Sequence, residues 1–525
     1  MSDAQQAPAA NTYDAVPYRD HPYCFTHPRH LETMAVLIGM EQPPITKCRV
    51  LELGCAGGGN VIPLAVDLPA STFLGIDLSQ RQIEQGSQIV ETLGLKNIEL
   101  RCANIMDVDA GWGQFDYIVS HGILSWVPPA VQDKLLEISA RNLAPNGVAF
   151  VSYNTYPGWH LGKIVRDLMC YHASQFDQPA DKIAQAKAVL EFMAGLSSEK
   201  QAAGLFLKEE LEMLRRINND SYLFHDHLET NNEPVYFYQF MERAEAKGLQ
   251  YLAEADFSTM LLRNLPQKTH EPFSKLPIIR QEQYMDFVRG RRFRKTMLCH
   301  RGIELQRHVT QEKMRQFHFA LAGLFDPVAV DIRNDSRVDF ALGGSRLTVG
   351  NRLVKAAIMY LKEVHPRYVS FPHLYATAVA RIGQSRPLRP NDPDTAPDVL
   401  AVNLLAGYTI DMFGICVHPP CCAARANDRP VASPLARLQA AHSGVVTNQF
   451  HKSVTLDSFG RRLIRRLDGT HDRAALTGCA IEAIAEGELT VKRGGQVLKQ
   501  PDPKTLSEII DGVLSQLTRS ALLVN

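Results

Sequence analysis

Apolar positions along the chain follow two rhythms, and the places where they switch mark its parts. Val50-Leu51-Glu52-Leu53, Ser71-Thr72-Phe73-Leu74-Gly75-Ile76, Ile98-Glu99-Leu100-Arg101-Cys102, Phe115-Asp116-Tyr117-Ile118-Val119-Ser120 and Gly147-Val148-Ala149-Phe150-Val151-Ser152 are short apolar runs that read as strands. Helical spacing precedes them, as at Leu31, Met34, Ala35 and Ile38. The pattern predicts an α/β fold with a Rossmann-like sheet. Residues 161–221 read as helical: Leu161 to His172 is amphipathic, and Asp181 to Arg216 is rich in Ala, Leu, Glu and Lys. Strand rhythm then returns. A helix from Pro234 stops at Gly248, Leu249-Gln250-Tyr251-Leu252 follows as a strand, and Phe293 to Cys299 is another. These two strands are expected to complete the sheet, with the helical stretch inserted within it.

Past residue 303 the elements shorten. Val338 to Val349 reads as a hairpin turning at Gly343-Gly344, with helices from Asn351 to Glu363, near Leu374 to Ile382, and from Asp398 to Phe413. Residues 383–397 are a Pro/Asp-rich linker. Phe459, Leu463, Ile464 and Leu467 mark a helix stopped by Gly469, Asp472 helps cap the next, and Leu506 to Leu523 makes a third. The expected organisation has six parts. An aromatic arm or lid occupies 1–30 and the sheet domain 31–160. A helical insertion spans 161–223, and a region completing the sheet spans 224–302. Two smaller α+β, winged-helix-like domains follow, a middle one at 303–422 and a C-terminal one at 423–525. Ending the chain at Gly302 is expected to leave the sheet whole, with its ligand affinity little changed.

Candidate chemistry gathers at the carboxyl ends of the strands. Gly54-Cys55-Ala56-Gly57-Gly58-Gly59 follows the first strand, and Asn60 is a candidate N-cap for the helix opening at Val61. Such a glycine-rich turn lets a ligand approach the backbone beside a helix N-terminus. A dinucleotide would use Gly54, Ala56 and Gly59 as a degenerate G-x-G-x-x-G. S-adenosylmethionine (SAM) has no phosphate, but its cationic amino-acid end needs an acid near the turn, and Glu52 stands two residues before Gly54. Asp77, followed by Leu78, ends the second strand, where a carboxylate accepts both ribose hydroxyls. Asn104 and Ile105 follow the third, where a polar side chain can bond the adenine amine. Glu52, Gly54, Ala56, Gly58, Asp77 and Asn104, in that order, resemble the class I SAM-dependent methyltransferases.

The same edge is dense in aromatic residues. Tyr13 and Tyr18 lie in an arm expected to fold over the cofactor and exclude water, with Tyr13 touching it. His121 and Trp126 follow the fourth strand, and Tyr153 and Trp159 follow the fifth. Tyr18, His121, Trp126, Tyr153 and Trp159 are the candidates for lining the acceptor channel, and His121 also for touching the cofactor.

Composition narrows the classes. At 525 residues the chain exceeds one core, and 56 Lys plus Arg balance 56 Asp plus Glu. Nothing global favours nucleic acid or an anionic membrane, and Arg461, Arg462, Arg465 and Arg466 read as a solvated or protein-facing helix. No run is long enough to span a bilayer, and Met1 to Ala10 lacks the pattern of a signal peptide. The 10 cysteines are scattered, with Cys55 inside the turn, so a reducing, cytoplasmic location is expected. On a strand His225, His227 and Glu229 would share one face, but the segment reads as a satisfied polar turn before the helix from Pro234, and Cys416 to Cys422 clusters ligand types without a paired C-x₂-C spacing. Methyl transfer to nitrogen needs no metal, and none is expected.

A more specific resemblance runs along nearly the whole chain. It rests on Tyr13-Asp14-Ala15-Val16-Pro17-Tyr18, Glu52-Leu53-Gly54-Cys55, His121-Gly122-Ile123-Leu124-Ser125-Trp126-Val127-Pro128 and Ser152-Tyr153-Asn154-Thr155-Tyr156-Pro157-Gly158-Trp159. The block 224–252, Arg429-Pro430-Val431-Ala432-Ser433-Pro434 and Leu467-Asp468-Gly469-Thr470 extend it. The chain resembles bacterial class I methyltransferases with a methyltransferase regulatory domain, which include rickettsial protein-lysine methyltransferases that modify outer-membrane proteins. The resemblance implies a SAM domain, an inserted helical region that makes a homodimer, middle and C-terminal domains, and lysine of a protein partner as acceptor. Two departures stand out: Ala56 replaces a commoner Gly, and Asn104 stands where Asp is common. Methylation of a small metabolite and SAM binding without turnover are the other readings of the same residues.

Overall fold

A computed structural model describes residues 21–41, 45–217, 219–229, 231–262, 265–325, 330–385, 393–493, 496–498 and 500–524. Eight strands form its central sheet: β1 (Arg49–Leu53), β2 (Thr72–Asp77), β3 (Ile98–Cys102), β4 (Phe115–Ser120), β5 (Leu143–Tyr156), β6 (Val235–Tyr236), β7 (Leu249–Glu254) and β8 (Phe293–His300). Their order is β3-β2-β1-β4-β5-β8-β7, with β6 added to the carboxyl end of β5. The first five run parallel, and β8 lies antiparallel between β5 and β7. Parallel strands covered on both faces are apolar in succession, as Val50 and Leu51 or Tyr117, Ile118 and Val119 are here, all fully buried. Strand order reverses between β1 and β4, which opens a crevice at their carboxyl ends.

Three helices, Trp159–Ala173, Pro179–Leu196 and Ala202–Ile217, make the insertion and enclose a core of their own around Val165, Met169, Ala186 and Leu190. The segment after them is a turn. Phe224–Leu228 is π-helical, so His225, His227 and Glu229 do not share one face by alternation. Val235 and Tyr236 join the sheet as β6, and the helix expected from Pro234 is Phe237–Ala246. At its start Gln239 Oε1 accepts from Tyr236 N (3.2 Å).

Beneath the helix Ile278–Arg289, β7 and β8 are joined by a buried ionic lattice. Arg294 is fully buried and reaches Glu254 Oε1 (2.6 Å), Asp286 Oδ1 and Oδ2 (2.8 and 2.9 Å) and Glu282 Oε2 (3.1 Å). Its guanidinium lies 3.7 Å from the centre of the Phe237 ring.

Further along, Val369–Ser370, His318–Leu321 and Phe413–Cys416 form a three-stranded sheet beside the hairpin Val338–Leu342/Ser345–Val349. Helices Arg352–Glu363, Phe371–Ser385 and Pro397–Thr409 cover it. Its core is continuous with that of the large sheet: Leu31, Met34 and Phe150 belong to the same buried cluster as Phe319, Leu353 and Phe413. A cut at Gly302 therefore keeps every strand of the large sheet but strips apolar cover from its helix Pro28–Leu37. The C-terminal winged-helix domain packs helices Pro434–His442, Ser458–Ile464, Arg473–Ala485 and Pro503–Arg519 around Ala436, Leu463, Leu476 and Leu514, with the hairpin Val445–Thr447/Ser453–Thr455 at its side. No described helix is long and apolar enough to cross a membrane.

Candidate active site

The glycine turn is tied to the sheet before any ligand arrives. Gly54 N and Cys55 N both donate to Ile76 O, at 2.8 and 2.9 Å. Gly54 has φ +73°, and a Cβ there would sit 2.2 Å from Ile123 Cδ1, so both conformation and space exclude a side chain. Ala56 takes φ +50° without being glycine, a cost of about 1 kcal/mol held inside the turn. Its amide and that of Ser79 each donate to Asp77, at 2.9 Å to Oδ2 and Oδ1 respectively. Those two bonds aim the carboxylate at the turn, where each oxygen keeps a lone pair for a hydroxyl.

An apolar shelf adjoins it. Leu78 is 63% exposed and Met106 43% exposed, an arrangement that leaves apolar area for a flat ring to cover. Asn104 Oδ1 accepts from Met106 N (2.9 Å), which shapes the turn Ile105–Asp107 and leaves a second lone pair on that oxygen. This donor and acceptor set fits an adenosine with a free ribose.

Asn60 departs from its expected role. It precedes the helix Val61–Asp67, but its side chain makes no cap bond. Instead Asn60 Nδ2 donates to Glu52 Oε1 (2.8 Å), while Oδ1 accepts from Tyr23 N (2.9 Å) and His451 Nε2 (2.8 Å). The helical backbone of Asn60, with φ −93° and ψ −46°, points the amide away from the first turn.

On the other side of the switch point, His121 follows β4 among rings. Tyr23 lies edge-on at 4.0 Å, Phe25 at 5.2 Å, Phe150 at 6.2 Å and Phe293 at 6.3 Å. His121 Nδ1 and Gly122 N both bond Ser152 Oγ, at 2.8 and 2.9 Å. Lys295 Nζ sits 3.9 Å from the Phe25 ring centre and bonds Asp256 Oδ2 at 2.9 Å. Burial, aided by the Lys295 charge, pushes the His121 pKa down to about 3, so the ring is neutral.

The remaining candidates scatter. Tyr153 was expected at this edge, but β5 continues to Tyr156, and alternation turns Tyr153 to the opposite face from Ser152. There it stacks on Phe240 (4.3 Å) and bonds Thr296 Oγ1 (3.0 Å), buried in the core. Trp126 is half-buried in the turn after β4, and Trp159 is buried at the start of its helix; among the described residues neither joins the ring cluster. Tyr13 and Tyr18 lie outside the described residues. Sequence reasoning missed Tyr23, Phe25, Ser152, Asn154, Lys295 and His451. The aromatic density of the arm pointed toward the first two. Asn154 is 4% exposed, and its amide nitrogen lacks a hydrogen-bond partner among the described residues. By alternation it shares the face of Ser152.

Comparison with known proteins bears on this geometry. Residues 50–147 match the family described as "Methyltransferase domain", residues 219–300 the "Predicted methyltransferase regulatory domain", and residues 428–522 "PKMT, C-terminal winged helix domain". The uncharacterized protein RP789 of Rickettsia prowazekii is 36% identical over 526 residues, covering 98% of this chain and 94% of that one. RP028 of the same organism is 39% identical over 242 residues, 46% of this chain and 96% of that one. Among solved structures, PKMT2 from Rickettsia typhi, also solved in complex with AdoHcy, superposes with a TM-score of 0.87 at 29% identity, over 97% of this chain and 100% of that one. A shared fold along both full lengths, with the glycine turn and its carboxylate in place, makes this chain a SAM-dependent methyltransferase. It belongs to the class I methyltransferase family that joins a methyltransferase domain, a regulatory domain and a PKMT-type C-terminal winged helix.

Proposed function

We propose that the methyl acceptor is the side-chain amine of lysine in a protein. The observation that carries this reading is the electrostatic character of the ring-lined edge at His121. A lysine amine must lose its proton before it can attack carbon. From a reference pKa near ~10.4 that costs about 4–5 kcal/mol at pH 7. The surroundings that hold His121 neutral, through desolvation and the neighbouring Lys295, disfavour a second cation in the same way. An entering amine is therefore biased toward its neutral, nucleophilic form.

In this reading Asp77 holds the ribose hydroxyls, Asn104 the adenine amine, Leu78 and Ile105 the adenine faces, and Glu52 the cationic amino-acid end. Gly54, Ala56 and Gly58 line the cradle. When bound, SAM supplies an electrophilic methyl group on sulfur. The chain's own work is alignment and exclusion of water. Tyr23 and Phe25 close over the edge, and His121 presents a neutral nitrogen held by Ser152. With a pKa near 3, His121 orients the amine and does not take its proton at neutral pH.

The similarity to PKMT2 extends through the winged helix, which is more surface than a metabolite needs. A homodimer through the insertion and a reducing, cytoplasmic setting belong to the same proposal. Leu161, Ile164, Tyr171, Phe192, Leu196 and Leu205 are each 45% exposed or more on the insertion helices, an apolar surface suited to a second copy. Tritiated SAM incubated with enzyme and cell lysate tests the acceptor. Label that stays with protein and appears as methyl-lysine after hydrolysis supports the reading; label confined to small molecules replaces it with metabolite methylation.

A further inference from the structure

One residue of the C-terminal domain lies beside the cofactor cradle. His451 stands in the loop between strands Val445–Thr447 and Ser453–Thr455, 391 residues from Asn60, and is 3% exposed. Its backbone has φ +55°. The loop is braced from within: Asn448 Oδ1 accepts from Phe450 N and Lys452 N, each at 3.0 Å, and Asn448 Nδ2 donates to Ser520 O at 2.9 Å. The His451 ring meets His27 edge-on at 5.3 Å, and His27 Nε2 bonds Asp67 Oδ2 at 3.0 Å.

The hydrogen bonds set direction. Two donors converge on Asn60 Oδ1, namely Tyr23 N and His451 Nε2. They decide which end of the amide is oxygen, and so turn Nδ2 toward Glu52 Oε1 at 2.8 Å. Burial keeps His451 neutral, which leaves it one ring N–H. That proton is the one on Nε2 that faces Asn60.

We propose that His451 is a positioning residue for the cofactor: acting through Asn60, it fixes the Glu52 carboxylate that receives the amino-acid end of SAM. The winged-helix domain is then part of the cofactor site, and by linkage SAM strengthens its docking while docking strengthens SAM. This rests on the assignment of Glu52 made above.

Full-length His451→Phe keeps a ring and removes the donor, while His451→Gln restores an N–H at similar reach. Calorimetry with SAM and with 5′-methylthioadenosine, which lacks the amino-acid end, separates the possibilities. His451→Phe should weaken SAM about tenfold and leave 5′-methylthioadenosine within about twofold, and His451→Gln should recover most of the loss. Equal weakening of both ligands, or an unchanged SAM affinity, overturns the proposal. Glu52→Gln is the control: if it weakens SAM while His451→Phe does not, the Glu52 assignment stands and the relay fails. If neither variant moves SAM, the Glu52 assignment itself fails. Should His451→Phe not fold, hydrogen–deuterium exchange on the unaltered protein decides. SAM, but not 5′-methylthioadenosine, should slow exchange across 445–455, and the absence of that difference refutes the linkage.

Discussion

Replacing Arg294 with Met removes the cation at the centre of the lattice that joins β7, β8 and the helix Ile278–Arg289. Three buried carboxylates, Glu254, Glu282 and Asp286, would then share Arg291, whose contacts with them are 3.8, 3.7 and 3.1 Å. Breaking a buried pair in this way costs about 3–5 kcal/mol, because the stranded charges have no water to return to. Methionine refills much of the volume, so a cavity adds little. Burial already raises the pKa of Glu282 and Asp286 above their usual values. Losing Arg294 raises them further. A carboxyl whose folded pKa is raised contributes stability that is present below its unfolded pKa and lost as pH rises through the folded one. The deficit of the variant should therefore be greatest near about pH 8 and shrink toward about pH 5. Urea unfolding at both pH values measures it, and hydrogen–deuterium exchange at 249–254 and 293–300 locates it. The cradle proposed for SAM lies at β1 and β2, so SAM affinity should hold while methyl transfer falls with the displacement of Phe293 and Lys295. Adding Glu282→Gln should recover part of the loss. Stability within about 1 kcal/mol of the parent near pH 8, or a deficit that grows in acid, would refute the charge argument.

Three further outcomes follow from the same structure. Asp77→Ala should weaken SAM by about 1–3 kcal/mol in calorimetry, since the carboxylate aimed by Ala56 N and Ser79 N is lost. For His121 the unfolded pKa is 6.5 and the folded one about 3, so the unfolded chain binds the proton first and stability falls as pH drops from 6.5 toward 3. Each pH unit in that window contributes up to about 1.4 kcal/mol, and melts of His121→Gln should be correspondingly flatter than those of the parent between about pH 6.5 and pH 4.5. Asp226, raised to about 7 by burial, acts with the opposite sign between 3.8 and 7, while neighbouring His227, lowered to about 4, offsets it. A chain ended at Gly302 should aggregate, because Leu31, Met34 and Phe150 share their buried cluster with Phe319 and Phe413; a soluble, SAM-binding product by light scattering and calorimetry would show that core to be dispensable.

Much of the catalytic sheet was legible in the residues. Period-two and continuous apolar runs mark β1 to β5, and the polar residues that end them mark the cofactor edge, because a parallel sheet presents its carboxyl ends to ligand. The family resemblance rested on the same stretches. Asn60 and Tyr153 show where local reading stops. A residue of capping type before a helix is a good local expectation, yet Asn60 has stronger partners in Glu52 and His451. Tyr153 sits next to a site residue in sequence, but the strand runs on, and one step along it is a change of face.

The sequence by itself determined the methyltransferase class, the glycine turn, the carboxylates at 52 and 77 and the winged-helix character of the C-terminal part, because each is written in consecutive residues. Only the tertiary structure decided which rings surround His121, that Arg294 anchors the last two strands, and that His451 reaches the cradle. These arise from long-range packing, where burial and hydrogen bonding between distant segments outweigh any local preference, and no spacing along the chain records them.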